Sequence, residues 1–254
     1  MKKNNREKII YFALKYKGNW QKIYDAFKNK EEMDDNYYFS EMKKINYKVV
    51  TIIDDDYPSQ FKTIYQPPFA LFYYGNLSLL KNRFILGVVG SREASEYGKK
   101  ACCKIIDSLK DQDVIIVSGL AKGIDGEAHQ SAINNNLKTV AVLGTGIDYC
   151  YPKENLSIYQ NIKKNGLLIS EYPYKEVVSK NSFVLRNRLI AALSSKLLIP
   201  EVKEKSGTLI TIRFGIDFGK EILVVPSSIF LPTYNNQLIY QGATPIMDGK
   251  DIFE

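Results

Sequence analysis

The stretch Phe84-Ile85-Leu86-Gly87-Val88-Val89-Gly90-Ser91-Arg92, together with Val114-Ile115-Ile116-Val117-Ser118-Gly119-Leu120-Ala121-Lys122-Gly123-Ile124-Asp125, decides how this chain folds. Each begins as an unbroken apolar run, the pattern of a strand buried on both faces. Each ends in a loop of small residues. Helical patterns follow, from about Tyr97 to Lys110 and from Asp125 to about Asn134. Two parallel strands that spill into glycine-rich loops at their carboxyl ends build the ligand crevice of an open α/β sheet. Glycine lets the backbone approach a ligand closely, and the amides that open the next helix favour anions. Arg92 and Lys122 add full positive charge to the same loops. An anion fits there, phosphate first among them.

The same alternation continues outward. Strands are expected at 139–143, 167–170, 196–200 and 221–225, with helical patterns between them. A spacing of roughly 25 to 30 residues is that of βα units joined by right-handed crossovers. The expected fold is therefore α/β, a doubly wound, mostly parallel, Rossmann-like sheet. Apolar runs at 49–53 and 69–75 extend it at the start, giving a domain of residues 46–254. Residues 1–45 read as a small helical segment. Ile9, Ile10, Phe12, Ala13, Leu14 and Tyr16 form one apolar face, Trp20, Ile23, Tyr24 and Phe27 another, and Gly18-Asn19 breaks between them. The charged run from Lys28 to Asp35 reads as a loop or linker.

Charge and composition exclude several classes. The 254 residues carry a formal charge of +7, but unevenly. Residues 1–50 hold 12 Lys and Arg against 7 Asp and Glu, and the rest hold 23 against 21. An anion site in the main domain must then come from local clustering, not bulk charge. No apolar run approaches the ~20 residues needed to cross a bilayer. The basic start is too short and too charged for a signal peptide, so a cytoplasmic location is expected. Three cysteines make no disulfide framework, and no Cys/His spacing suits zinc. Asp54-Asp55-Asp56 reads as a turn. Neither a metal nor a cofactor is expected, because the loops match neither Gly-x-x-x-x-Gly-Lys-Ser/Thr nor Gly-x-Gly-x-x-Gly. The only histidine, His129, lacks a Gly-x-Ser-x-Gly partner and reads as buried or capping. Asp125 reads as the cap of its own helix.

The remaining strand ends add to the same edge. Gly144-Thr145-Gly146 leads to Tyr151-Pro152-Lys153, Ser170 is followed by Glu171, and Glu201 precedes Lys203-Glu204-Lys205-Ser206-Gly207-Thr208. With Arg92, Lys122, Lys153 and Lys205, and with Arg186 or Arg188, this edge gathers the cations a phosphate backbone needs. The two arginines of Arg186-Asn187-Arg188 lie about 200° apart on a helix, so both cannot face one ligand equally. One of them pairing with Glu171 or Glu201 is the structural alternative. Phe183 suits either core packing or stacking on a base.

These motifs, in this order and spacing, resemble the DprA/Smf DNA-processing proteins. The resemblance rests on Gly90-Ser91-Arg92, Ser118 to Asp125 with Ala128-His129, Ala141 to Gly146 with Tyr151-Pro152, Ser170-Glu171-Tyr172, Arg186 to Ala191 and Ser206 to Thr211. It runs from about Val49 to the end. It implies an extended Rossmann fold that catalyses no known reaction, binds single-stranded DNA, protects incoming strands in natural transformation and loads the RecA recombinase, commonly as a dimer. It also implies DNA contacts at Ser91, Arg92, Gly119, Lys122, Gly123, Lys153, Lys180, Phe183, Arg186, Arg188, Lys205, Ser206, Gly207 and Thr208. Leu238 and Ile239 fall in a segment tied to dimerisation, and Ile216 in a helix near the RecA-facing surface. Many members carry a winged-helix domain that this sequence does not contain after the Rossmann part. The rival resemblance is to the LOG phosphoribohydrolases. Those enzymes carry Pro-Gly-Gly-x-Gly-Thr-x-x-Glu, where this chain has Lys205-Ser206-Gly207-Thr208-Leu209-Ile210-Thr211, with threonine in place of the catalytic glutamate.

Overall fold

The computed structural model describes residues 4–81, 83–174 and 179–253, with the Lys180 side chain outside that set. Three helices open the chain: α1 (Asn5–Lys15), α2 (Trp20–Lys28) and α3 (Asp35–Lys44). Asn4, Asn19 and Asp34 accept the amides of Arg6, Lys22 and Tyr37, which a helix start otherwise leaves unpaired. The apolar faces at Ile9–Tyr16 and Trp20–Phe27 mark the first two helices. The third was not distinguished in sequence, since its Tyr-, Asn- and Lys-rich run shows no aliphatic periodicity.

The rest alternates as the spacing predicts. The elements are β1 (Lys48–Thr51), β2 (Ala70–Gly75), β3 (Phe84–Val88), α4 (Glu96–Asp107), β4 (Val114–Ser118), α5 (Ile124–Asn134), β5 (Lys138–Leu143) and α6 (Leu156–Asn165). They continue with β6 (Leu167–Ser170), α7 (Lys180–Leu193), β7 (Lys196–Ile199), α8 (Thr208–Asp217), β8 (Glu221–Val224), α9 (Asn235–Tyr240) and β9 (Thr244–Pro245). Among the described residues the strands form one sheet in the order β1-β2-β6-β5-β4-β3-β7-β8-β9. Only the β1–β2 and β2–β6 pairings are antiparallel. From β3 the chain steps outward through β4, β5 and β6, then returns to β7 on the other side of β3, where Val88 lies opposite Leu198. The order reverses between β3 and β7. In such sheets the crevice beyond the carboxyl ends at that point takes the ligand.

Strand residues alternate strictly between two cores, as pleating demands. Ile85, Ile115, Val140, Leu167 and Leu197 face one layer with Leu189–Leu193 of α7 and Ile212 of α8. Leu86, Ile116, Leu198 and Leu223 face the other, with Ile105 and Ile106 of α4 and Ala128 and Ala132 of α5. Toward the β2 edge, that second face is covered by Ile9–Leu14, Ile23 and residues of α6, packed on Phe72, Ala141 and Leu168. Two polar ties hold the N-terminal helices down. The Arg6 Nε donates to Asp54 at 2.9–3.0 Å, and Trp20 Nε1 donates to the Pro67 carbonyl at 2.9 Å. Asp54 also accepts the Thr51 amide, so the first of the three aspartates anchors the turn.

Because α1 shares a core with the sheet, Phe12→Ala should cost about 3–5 kcal/mol of global stability. Urea unfolding followed by the fluorescence of Trp20, the sole tryptophan, and by far-UV circular dichroism should then move to one lower, coincident midpoint. Two separate transitions would show that the helical segment unfolds on its own.

Candidate nucleic-acid interface

A cleft of about 630 Å³ opens at the reversal point, lined by Gly90, Ser91, Arg92 and Glu93 after β3, by Ala121 and Asp125 after β4, and by Lys203, Glu204, Ser206, Gly207 and Thr208 after β7. Tyr151, Phe183, Arg186 and Asn187 form its other wall. The loops are tied to one another before any ligand arrives. Ser91 donates its amide to the Glu201 carbonyl at 2.8 Å, and its own carbonyl accepts the Ile124 amide at 3.1 Å. Thr208 Oγ1 donates to the Gly90 carbonyl at 2.9 Å. Gly123 has φ +72°, and a Cβ there would run into the Ser91 and Arg92 carbonyls. Glycine is required at that joint both for its dihedral and for its bareness. At the start of α8, Ser206 Oγ accepts the Thr208 amide at 3.2 Å, and the space beside Gly207 is open. An unobstructed helix start of this kind favours an anion.

Arg186 is buried and acts from beneath the loops. Its Nη1 donates to the Gly119 carbonyl at 2.5 Å and to the Val142 carbonyl, and its Nε to Asn187 Oδ1 at 3.1 Å. Burial pulls its pKa down to about 10, against the pull of the neighbouring Asp125 carboxylate. A Cβ on Gly119 would fall inside the guanidinium group. Arg186 thus braces the ends of β4 and β5, and the sequence-based expectation of a free DNA-contacting cation is corrected here. Asp125 is corrected too. Its carboxylate accepts the Gly119 and Ala121 amides at 3.2 and 3.3 Å, holding the preceding loop instead of capping its own helix. Burial raises its pKa, and Arg186 opposes that shift.

Arg188 lies elsewhere. It forms a two-pronged pair with Glu171 at 2.7 and 2.9 Å and donates to the Gln66 carbonyl, with both side chains almost fully buried. It is the structural arginine that the opposed helical faces allowed, and it does not reach the cleft. Glu201 pairs with neither arginine. It accepts the Ser95 amide at 3.0 Å and the Ser95 hydroxyl, fixing the start of α4.

The surface cations divide into two sets. Lys122 donates to Glu154 at 2.5 Å, which raises the lysine's pKa, and Lys203 approaches Glu93 at 3.5 Å. Arg92, Lys153 and Lys205 are exposed and make no ion pair among the described residues. Lys180 opens α7, and its side chain lies outside the described residues. Phe183 is half-buried, packed over Gly144, with its ring centroid 5.7 Å from that of Tyr151. Tyr151 and Asn187 were missed as lining residues. Tyr151 stood in a recognised motif, but nothing in the sequence showed that its ring stays half exposed. The acidic partners Glu154 and Glu93 gave no sequence signal. Of the three apolar surface candidates, Ile216 is exposed and Ile239 half-buried, but Leu238 packs into the core beneath α9.

Comparison with known proteins decides the family. Residues 48–254 match the family described as DNA recombination-mediator protein A. The chain belongs to that family. It is 40% identical over 223 residues to the DNA processing protein DprA of Streptococcus pneumoniae, spanning 87% of this chain and 78% of that one. The X-ray structure of DNA processing protein A from Streptococcus pneumoniae superposes with a TM-score of 0.79 at 34% identity, covering 100% of this chain and 98% of the other. A structure of DNA processing protein A from Helicobacter pylori, described for its single-stranded DNA binding mode, gives 0.74 at 29% identity, covering 82% and 94%. The resemblance read from six motifs and the extended α/β fold are both borne out. Among the described residues no helix is long and apolar enough to cross a membrane, and no cluster of His, Cys, Asp and Glu could hold a metal.

His129 sits under this site and reports on it. Thr139 Oγ1 donates to the Ile116 carbonyl at 3.0 Å, so His129 Nδ1 carries the proton in its 2.7 Å bond to that hydroxyl. Its buried Nε2 has no partner, and burial, aided by Arg186, lowers its pKa to about 3. The unfolded chain takes up a proton at this residue near pH 6.5, whereas the folded one does not until about pH 3. Stability contributed here is therefore complete above 6.5 and lost as pH falls, by about 2 kcal/mol between pH 6.5 and 5. His129→Gln should flatten the melting-temperature profile across that window. A profile as steep as that of the wild type would place the titration elsewhere.

Proposed function

We propose that this protein binds single-stranded DNA along the carboxyl edge of its sheet, protects it, and passes it to the RecA recombinase during natural transformation or recombination, without catalysing a reaction. The observation that carries the reading is a cleft lined by Arg92, with backbone amides and an open helix start, whose adjoining loops carry the exposed Lys153 and Lys205; none of the three makes an ion pair among the described residues. Such contacts hold phosphates with little regard for base identity. Ser91, Gly119, Gly123, Ser206, Gly207 and Thr208 shape the backbone cradle, Lys122 and Lys180 extend the charge, and Phe183 meets a base. The Helicobacter pylori relative, whose structure concerns its single-stranded DNA binding mode, supports single-stranded DNA as the ligand. The protein acts in the cytoplasm as a homodimer. The exposed Ile216 and the exposed Ile229, Phe230 and Tyr240 near α9 supply apolar surface for a second copy and for RecA, with Ile239 at the margin. Two copies would join two short sites with avidity.

The enzymatic alternative, LOG-like release of a base from a nucleotide, is weakened by Thr211. That threonine lines the cleft and is buried at the position where those enzymes carry glutamate.

Fluorescence anisotropy with a labelled dT strand and its duplex, over a salt series, tests the proposal. Single-strand binding should exceed duplex binding and weaken with salt. Arg92→Ala should lower affinity and reduce the slope of log K against log salt by about 0.7, one single-strand phosphate contact. Glu154→Gln should do the reverse by freeing Lys122. Unchanged slopes in both variants would remove these residues from the path, and free base released from a nucleoside monophosphate would favour the enzyme.

A further inference from the structure

We propose that Tyr151 is a second base-stacking residue, which with Phe183 forms a two-ring ledge that engages unstacked bases and so gives the site its preference for single strands. The inference rests on the nucleic-acid reading of the cleft and deepens it. Tyr151 lines the cleft and leaves 49% of its surface exposed. Its hydroxyl makes no hydrogen bond among the described contacts, whereas Tyr57, Tyr97 and Tyr159 each donate to a backbone carbonyl. The ring is not core. It leans on Phe183 at 5.7 Å and 53°, and that phenyl is in turn seated on Gly144, where a Cβ would lie 2.6 Å from Cδ1.

The supporting ring is therefore fixed from below, and Tyr151 offers its outer face to the cleft. Cations flank the ledge: Lys153 stands two residues along the chain, and Arg92 lines the same cleft. Exposed aromatic faces beside a phosphate-tracking groove take bases without reading their identity.

The test compares wild type, Tyr151→Phe and Tyr151→Leu on three labelled ligands: a dT strand, an all-abasic strand of the same length, and the duplex. Leucine keeps an apolar contact with Phe183 but removes the π-face. Tyr151→Leu should bind dT about ten-fold more weakly than wild type, Tyr151→Phe should match wild type, and all three should bind the abasic strand equally. The single-strand preference over duplex should shrink in the leucine variant. Equal dT binding by Tyr151→Leu would overturn the proposal, as would an equal loss on dT and abasic strands, which marks a merely structural role. Wild-type protein that ignores every ligand would remove the nucleic-acid reading, and this inference with it.

Discussion

The clamp of Arg186 on the Gly119 and Val142 carbonyls is the constraint on which the rest of the cleft depends. A guanidinium taken out of water carries a penalty of several kcal/mol unless its donors are met and its charge is balanced. Here two carbonyls and one amide oxygen accept from it, and the Asp125 carboxylate lies close enough to oppose its loss of charge. Asp125 in turn holds the Gly119 and Ala121 amides, so the loop after β4 is gripped by its carbonyl from one residue and by its amides from another. That double grip explains why Gly119 must be glycine. It also explains why Leu120 can be held at φ +57°, an uncommon backbone region for a branched residue. The loop's shape is set by buried electrostatics and not by its own sequence preferences.

A division of labour among the cations follows. Arg186 and Arg188 are committed beneath the surface, one as a brace for loops and one paired with Glu171 to tie α7 to the turn at Gln66. Lys122 is exposed and Lys203 half-buried, and both already face carboxylates. Exposed pairs of this kind hold together weakly and exchange readily for a phosphate. Arg92, Lys153 and Lys205 make no ion pair among the described residues, so none of them has a described carboxylate to give up. The sheet gathers these cations at one set of strand ends, where Glu93, Glu154 and Glu204 also stand, so the edge's positive character rests on which cations are left unpaired.

The layout of the sheet was legible because each buried strand reads as a continuous apolar run and each loop as a cluster of small residues. Six expected strands from Phe84 onward appear within a residue or two of their expected limits. The site was legible in its backbone parts for the same reason: Gly-Ser-Arg, the Gly119–Gly123 loop and Ser206–Thr208 advertise themselves by residue type. What stayed hidden was side-chain commitment. Helical geometry showed that Arg186 and Arg188 face apart, yet both turned inward, since an acceptor set can sit on either side of a helix lying across a sheet. Leu238 was hidden likewise, because a short amphipathic helix does not say which of two adjacent leucine-like positions points down. The third helix escaped because its stability comes from the Asp34 cap and aromatic contacts such as Tyr11 with Tyr37, not from an aliphatic stripe.

A cleft held this firmly has a consequence for recognition. Loops cross-linked by Ser91, Thr208, Asp125 and Arg186 have little conformational freedom left to lose when a ligand binds. The ordering cost then falls mainly on the ligand. A flexible single strand loses conformational entropy in lying along a fixed edge, and contacts to its phosphates must compensate at every step. Bases can contribute only where a π-face is exposed, and the Tyr151–Phe183 pair is such a place in the cleft wall. On the proposed reading, affinity that depends on charge along the edge and on stacking at one ledge is indifferent to sequence but not to strandedness.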